Sequence, residues 1–197
     1  IEITSIDNPL FYNHFKSTQK IITNKIQDIL ECYYGSFFNV LNTHIYRTHY
    51  LDKKILATKK VEAYGSSEFW HNDGSTTDSI KLFILLNDIN EDFGPMHIIN
   101  KSDTKKLIKN GFYKYKEGQS NGIIEKTFDV TKLTGKKGDL FLADTNICLH
   151  RGDIPKTNAT RDMLVFYIAS SSIKFNGIDP NKTSKKQFLG FKRLFYY

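Results

Sequence analysis

The sequence has little of what would mark a secreted, membrane or fibrous protein. It has two cysteines, Cys32 and Cys148, which are too few for a disulfide framework and favour a reduced, cytoplasmic protein. No apolar run approaches the roughly 18–20 residues that cross a bilayer, and no signal peptide is visible. The 4 prolines and 12 glycines form no linker that would divide the chain. We therefore predict a single domain over residues 1–197, with its core at roughly 37–170, while the start at Ile1 leaves room for an upstream segment.

The positive charge is evident but uninformative. A formal net charge of +7 admits an anionic partner, such as a phosphorylated metabolite or a nucleic acid. The lysines, however, are scattered along the chain, and they are abundant together with isoleucine and asparagine. This pattern indicates a general amino-acid bias of the source more than a nucleic-acid-binding stripe. An anionic or carrier-linked small molecule stays open as a partner.

Apolar periodicity predicts one long helix followed by many short strands. Apolar residues recur at helical spacing from Ile22 to Leu30, which predicts a helix over Phe15–Glu31. Ser102 is predicted to cap a short helix over Asp103–Lys109. The predicted strands are Phe38–Tyr46, Lys60–Tyr64, Ser79–Asn87, Pro95–Asn100, Ile123–Val130, Asp139–Leu142, Ile147–His150 and Met163–Ser170. This order predicts a mainly β fold with flanking helices, built as a two-sheet sandwich or jelly roll with a pocket between its sheets.

The first candidate metal ligands are His71 and Asp73. On a strand, residues two apart point to the same face, so both side chains can reach one metal ion. His-x-Asp is a weak signal alone, because the pattern occurs by chance in many proteins. Asn72, between them, is a candidate for a hydrogen bond to a co-substrate, with an outward-facing loop amide as the alternative.

His150 and Arg161 make the weak His71-x-Asp73 signal more specific. His150 follows His71 by 79 residues at the end of a predicted strand, and Arg161 comes 11 residues later at the start of another. Two histidines and one carboxylate form the facial triad of non-haem Fe(II) oxygenases, in which three coordination positions stay open. An arginine on a neighbouring strand suits the far carboxylate of 2-oxoglutarate, since its planar guanidinium can bind both oxygens.

Three blocks of the sequence resemble the phytanoyl-CoA dioxygenase-like branch of the Fe(II)/2-oxoglutarate oxygenases. They are Phe69–Gly74, Phe93–Ile99 leading to Ser102, and Gly138–Gly152 continuing to Arg161. The third block is the most specific, because it places a His, a loop with Pro155 and an Arg at the family's spacing. The chain departs from the family where Pro-Gly-Ser-His is common, having Asn-Lys-Ser-Asp at 100–103 instead.

The resemblance implies a double-stranded β-helix (jelly roll, cupin-like) with Fe(II) between its sheets. It implies His71, Asp73 and His150 as metal ligands and catalytic centre, with Arg161 binding 2-oxoglutarate. It also implies a dioxygenase that uses O₂ to convert 2-oxoglutarate to succinate and CO₂ while oxidising a C–H bond of a small molecule. Because halogenating relatives lack the triad carboxylate, Asp73 favours hydroxylation.

Two other hypotheses stay open at this stage. An oxygenase acting on nucleic acid or protein would need a contiguous basic groove with aromatic stacking partners beside the metal. A jelly-roll binding module that has lost turnover would keep the fold without the chemistry. His97 is more consistent with a core or surface histidine than with a pocket residue.

Overall fold

The structure, a computed structural model, describes residues 20–50, 69–74, 77–112 and 121–177. Two antiparallel sheets and three helices make up most of this part of the chain, with a 3₁₀ turn at Glu91–Phe93. The elements, numbered in chain order, are α1 (Asn24–Tyr34), β1 (Phe37–His49), β2 (Ile80–Leu85), β3 (Met96–Ile99), α2 (Lys101–Lys109), α3 (Asn121–Thr127), β4 (Val130–Lys132), β5 (Leu140–Ala143), β6 (His150–Gly152) and β7 (Thr160–Ser171).

The sheets face each other across an apolar layer. A four-stranded sheet has the order β1-β7-β2-β5, and a three-stranded sheet has the order β4-β3-β6. Alternation along β2 and β7 sends Phe83 and Val165 toward the second sheet, where they cluster with Met96 of β3 and with Leu133, the residue after β4. The predicted mainly β fold with a two-sheet core is therefore confirmed.

Helices cover the outer face of each sheet. Helix α1 begins at the N-cap Thr23, whose hydroxyl accepts from the Ile26 amide, and it ends at Gly35 in the left-handed region. Its Leu30 packs with Phe38 and the outer face of the four-stranded sheet, where both side chains are fully buried. Apolar residues of α2 and α3 pack against the three-stranded sheet in the same way. No helix of the described ranges is long and apolar enough to cross a membrane.

Two of the predicted elements differ from the structure, and two lie partly or wholly outside it. The strand predicted over Ile123–Val130 is wrong, because residues 121–127 form helix α3. Ile124 of this helix is buried in the cluster that includes Ile99 of β3. Of the predicted strand, only Val130 belongs to a strand, β4. The strand predicted over Ile147–His150 begins only at His150. The helix predicted over Phe15–Glu31 is described from residue 20 onward, and the predicted strand at 60–64 lies outside the described residues. Helix α2 begins at Lys101 and not at the predicted Asp103, and its N-cap is Asn100, two residues before the predicted Ser102.

Gly94 lets the loop before β3 pass close to the loop after β6. Its φ is +64°, and a Cβ built there would lie 2.5 Å from the backbone nitrogen of Pro155 and 2.6 Å from the carbonyl oxygen of Asp153. We expect Gly94→Ala to lower the free energy of unfolding by about 3 kcal/mol, because neither backbone atom can move away alone. Urea unfolding measures this loss.

Gly35→Ala is the matched control for that substitution. Gly35 has a similar φ of +61°, yet a Cβ there would meet nothing within 4 Å. We expect this variant to lose only about 1 kcal/mol, which is the cost of a left-handed alanine. Equal losses in the two variants would show that the close approach at Gly94 adds nothing.

Candidate functional site

The two predicted histidine ligands lie on neighbouring, directly paired segments. The amide of His71 donates to the carbonyl of His150 at 3.0 Å, and the amide of His150 donates to the carbonyl of His71 at 2.8 Å. Their imidazole centroids are 4.4 Å apart. Paired residues of antiparallel strands carry their side chains on the same face, so the backbone alone brings two distant histidines together.

Each imidazole is oriented by a carbonyl two residues before it. Nδ1 of His71 lies 2.7 Å from the carbonyl oxygen of Phe69, and Nδ1 of His150 lies 3.1 Å from that of Cys148. A carbonyl can only accept, so Nδ1 carries the proton in both rings and Nε2 is left with its lone pair. This is the outer hydrogen bond that metal-binding histidines usually make.

Asp73 completes the group of three. Its amide donates to the carbonyl of Thr145 at 3.0 Å, and its Oδ1 lies 3.7 Å from Nε2 of His150. The ligand atoms of His71, Asp73 and His150 all lie within 4.8 Å of one another. No second group of three such side chains comes this close within the residues that the structure describes.

The charge states of the group suit metal binding. Burial lowers the pKa of His150 to about 4, so this imidazole is neutral and its lone pair is available. Burial alone would raise the pKa of Asp73, but Lys81 and His150 outweigh it and hold that pKa below its ordinary value. A neutral histidine and an ionised carboxylate are the forms that bind a cation.

Lys81 is a buried cation at the edge of the group. Its Nζ lies 2.8 Å from Oδ2 of Asp73 and 4.9 Å from the ring centroid of Tyr167. Burial alone would lower the pKa of Lys81, but Tyr167 and Asp73 reverse the effect and raise it above the ordinary value. The amine is therefore an ammonium ion in contact with the carboxylate.

Arg161 is a second buried cation, on β7. Its guanidinium donates to the carbonyl of Asp153 and to the hydroxyl of Thr48, both at 3.3 Å, while its Nε has no hydrogen-bond partner. Burial lowers the pKa of Arg161, and the nearby Tyr46 acts in the opposite direction. A buried guanidinium with two long hydrogen bonds and an unpaired N–H has capacity for a carboxylate.

The donor set fits a first-row divalent metal. Two imidazole nitrogens and one carboxylate oxygen that can bind one metal ion together form the 2-His-1-carboxylate set of non-haem Fe(II) enzymes. His150 lies on β6 of the three-stranded sheet, and His71 and Asp73 lie on the segment that is bridged to it. Arg161 stands on the inner face of the four-stranded sheet beside Tyr46. The residues present therefore fit both a metal ion and an anionic co-substrate.

A network of charged side chains lies behind the metal group. Arg151, next to His150, donates to Glu125 and to Asp153, and its guanidinium lies 5.8 Å from the ring of Trp70. His97 is 2% exposed, and its Nδ1 lies 3.3 Å from Oε1 of Glu125. Of the two alternatives that the sequence left for it, a core or a surface histidine, the structure shows the core one, with Nε2 buried and without a hydrogen-bond partner.

The structure leaves the role predicted for Asn72 untested and adds two residues to the site, Lys81 and Tyr46. Asn72 lies half-buried between the two ligands, and its predicted contact with a co-substrate stays a prediction. Lys81 and Tyr46 were not among the predicted site residues. Lys81 could have been found, because it is a lysine on the face of β2 that also carries Phe83 and Leu85, where an apolar residue is expected.

Solved structures show the class to which this fold belongs. The non-haem alpha-ketoglutarate-dependent epimerase SnoN from nogalamycin biosynthesis has a TM-score of 0.56 at 12% identity, over 85% of this chain and 62% of its own. EctD from S. alaskensis, solved with 2-oxoglutarate and 5-hydroxyectoine, has a TM-score of 0.55 at 16% identity, over 79% and 52%. The carbocyclase SnoK from nogalamycin biosynthesis has a TM-score of 0.54 at 11% identity, over 88% and 66%.

The chain thus has the jelly-roll fold of the Fe/2-oxoglutarate-dependent oxygenases. It spans between half and two thirds of the length of these structures. No protein-family model matches the chain, and no curated protein resembles it at a significant level. The predicted fold is therefore confirmed, while the narrower phytanoyl-CoA dioxygenase-like assignment stays a prediction.

Proposed function

We propose that this chain is an Fe(II)- and 2-oxoglutarate-dependent dioxygenase that hydroxylates a C–H bond of a small molecule. The observation that carries the proposal is the convergence of two imidazoles and one carboxylate, whose ligand atoms lie within 4.8 Å of one another. The buried Tyr46 interacts electrostatically with both Asp73 and the buried Arg161. The fold adds support, because SnoN and SnoK are described as alpha-ketoglutarate-dependent and EctD was solved with 2-oxoglutarate, which is the same compound. The phytanoyl-CoA dioxygenase-like branch is the proposed family within this class.

In this proposal each residue has one task. His71, Asp73 and His150 hold the metal on one face, and the hydrogen bonds from Nδ1 to the backbone fix both imidazoles. Arg161 pairs with the far carboxylate of 2-oxoglutarate, where its unpaired Nε and long hydrogen bonds leave it able to donate. Fe(II), when bound, supplies the activation of O₂ that couples conversion of 2-oxoglutarate to succinate and CO₂ with substrate oxidation.

Asp73 favours hydroxylation over halogenation. A halogenating site needs a coordination position for chloride in place of the carboxylate, whereas here Asp73 is present and ionised beside His150. His150 is 6% exposed and the carboxylate of Asp73 is mostly buried, a setting that suits a small molecule better than a folded partner. We also propose that residues 1–197 act as a single catalytic domain.

The proposal is tested by loading the protein without oxygen. We expect Fe(II) and 2-oxoglutarate together, but neither alone, to give a visible charge-transfer band, because the band requires the co-substrate to chelate the metal. Admitting O₂ is expected to yield succinate, and a strong chelator added beforehand is expected to abolish both signals. The measurements are visible absorption and chromatographic detection of succinate.

The same titration separates an enzyme from a silent binding module. A protein that gives the band and no succinate in oxygen with any candidate substrate would be a binding protein with an oxygenase fold. A protein that gives no band, and that does not bind Co(II) or Fe(II) by calorimetry, would contradict the proposed metal site itself.

A further inference from the structure

Arg151 is a buried cation to which the proposed chemistry assigns no role. It follows His150 on β6, and its side chain is 7% exposed. Its guanidinium donates to the carboxylates of Glu125 on α3 and of Asp153 in the loop after β6. Successive residues of a strand point to opposite faces, so Arg151 lies behind the face that carries His150. The guanidinium therefore joins a helix, a strand and a loop directly behind the metal group.

Asp153 connects Arg151 with Arg161. Its Oδ1 accepts from Nη1 of Arg151 at 3.1 Å, and its backbone carbonyl accepts from Nη1 of Arg161 at 3.3 Å. The same Oδ1 accepts from the amide of Ile154 at 3.1 Å, and the amide of Asp153 donates to the carbonyl of Pro95 at 3.0 Å. The side chain and the backbone of Asp153 are thus fixed together, so the place of its carbonyl depends on the contact of its carboxylate with Arg151.

This carbonyl helps to decide where the guanidinium of Arg161 lies. Within the described part of the chain, the other hydrogen bond of Arg161 goes to the hydroxyl of Thr48 at 3.3 Å, and its Nε is buried without a partner. A side chain with two hydrogen bonds moves when either acceptor moves. Binding both oxygens of a carboxylate depends on the direction of the guanidinium plane, because its donors form a rigid fork. A displaced carbonyl of Asp153 would therefore weaken binding of a carboxylate by Arg161.

A buried cation is a costly way merely to attach a helix to a sheet. Apolar side chains of similar volume often stabilise a fold at least as well as a buried ion pair does, whereas hydrogen bonds fix a direction. Helix α3 already packs on the sheet through Ile124, which is buried in one cluster with Ile99. The contacts of Arg151 with Glu125 and Asp153 are therefore explained better by a need for position than by a need for attachment.

We propose that Arg151 is a positioning residue that, through Asp153, orients Arg161 for the far carboxylate of 2-oxoglutarate. This inference rests on the proposed function and adds to it a residue outside the metal group on which co-substrate affinity depends. The metal ligands do not need Arg151 in the same way, because His71 and His150 are held by their own pair of backbone hydrogen bonds.

The first test compares co-substrate binding with metal binding in Arg151→Met. Calorimetry measures the titration of Co(II) into the metal-free protein and of 2-oxoglutarate into the Co(II)-loaded protein. We expect the affinity for 2-oxoglutarate to fall by about tenfold, a usual size for coupling through a contact network, while the affinity for Co(II) stays within about threefold. Lys132→Met removes a cation from an exposed pair with Glu91 in the same sheet, and this matched control is expected to change neither affinity.

The second test asks whether Arg151 acts through Arg161. Arg151→Met is combined with Arg161→Met, which removes the guanidinium that is to be oriented. In this background we expect Arg151→Met to change the affinity for 2-oxoglutarate by less than about twofold, because linked residues have effects that do not add. A residue that merely supports the fold would cause the same loss in both backgrounds.

Asp153 offers an independent pair of variants, both of which keep the backbone carbonyl. Asp153→Ala removes the carboxylate and is expected to reproduce the loss of about tenfold in 2-oxoglutarate affinity. Asp153→Asn keeps an oxygen that can accept from Arg151, and it is expected to stay within about threefold of the wild type. The side chain of Asp153 is 40% exposed, so both variants are expected to fold even if Arg151→Met does not.

Three results would each overturn the inference. They are equal losses of Co(II) and 2-oxoglutarate affinity in Arg151→Met, an undiminished effect of Arg151→Met when Arg161 is already replaced, and unchanged 2-oxoglutarate affinity in Asp153→Ala. If the wild type bound neither Co(II) nor 2-oxoglutarate, the proposed function would fail and the inference with it. If the wild type bound both and the variants bound them equally well, only the inference would fail.

Discussion

We expect His150→Ala to lower the affinity for Fe(II) by more than about 100-fold and to abolish succinate formation. Even the residues that merely orient metal ligands typically cost 10–100-fold when they are removed, and His150 is proposed as a ligand itself. The pair of backbone hydrogen bonds with His71 is untouched by the substitution, so the fold is expected to persist. Calorimetric titration with Fe(II) under nitrogen, together with circular dichroism, separates these two effects.

His97→Gln is the matched control for that variant. His97 is a buried histidine on the adjacent strand β3, one register position from His150, but it pairs with Glu125 instead of the metal group. We expect its Fe(II) affinity to stay within about threefold of the wild type, since no proposed ligand is changed. If His150→Ala kept the charge-transfer band, the ligand assignment would be wrong.

Arg161→Met is expected to have effects of opposite sign on co-substrate binding and on stability. The affinity for 2-oxoglutarate should fall by about 100-fold, because truncating one partner of a buried charge pair costs several kcal/mol. The protein without co-substrate should become about 1–3 kcal/mol more stable, since a buried guanidinium with an unpaired Nε is replaced by an apolar side chain. Calorimetry and urea unfolding measure the two quantities.

A fall in 2-oxoglutarate affinity together with a rise in stability distinguishes a co-substrate-binding arginine from one that only supports the fold. An arginine that merely supports the fold would lose stability on substitution and leave 2-oxoglutarate binding intact. Arg47→Met is the matched control, because Arg47 lies on β1, is largely exposed and pairs with Asp162. We expect this control to leave co-substrate affinity unchanged.

The parts of the fold and site that the sequence predicts are those that rest on local pattern. Alternation along 79–87 predicts the strand observed as Ile80–Leu85, with Ile80, Leu82 and Ile84 on one face, and these three side chains share one core cluster. The spacing of two also predicts that His71 and Asp73 can reach one metal ion. His150 meets them only through its backbone pairing with His71 in the fold.

The parts that were missed depend on contacts distant in sequence. The helix at 121–127 was read as a strand because its short apolar run fits either element, and packing of Ile124 against the sheet decides between them. Lys81 was not chosen as a site residue because its partners Asp73 and Tyr167 meet it only in the folded chain. No local pattern encodes the burial of Arg161 or its unpaired Nε.

Trp70 gives this site a built-in optical reporter. It is the only tryptophan of the chain, it directly precedes His71, and it is 2% exposed. All indole emission therefore arises from one buried ring, which belongs to the residue next to His71 and lies 5.8 Å from the guanidinium carbon of Arg151. A paramagnetic ion bound to His71 would quench that emission, whereas unfolding would shift it to longer wavelength. One unlabelled sample can thus distinguish loading of the centre from loss of the fold.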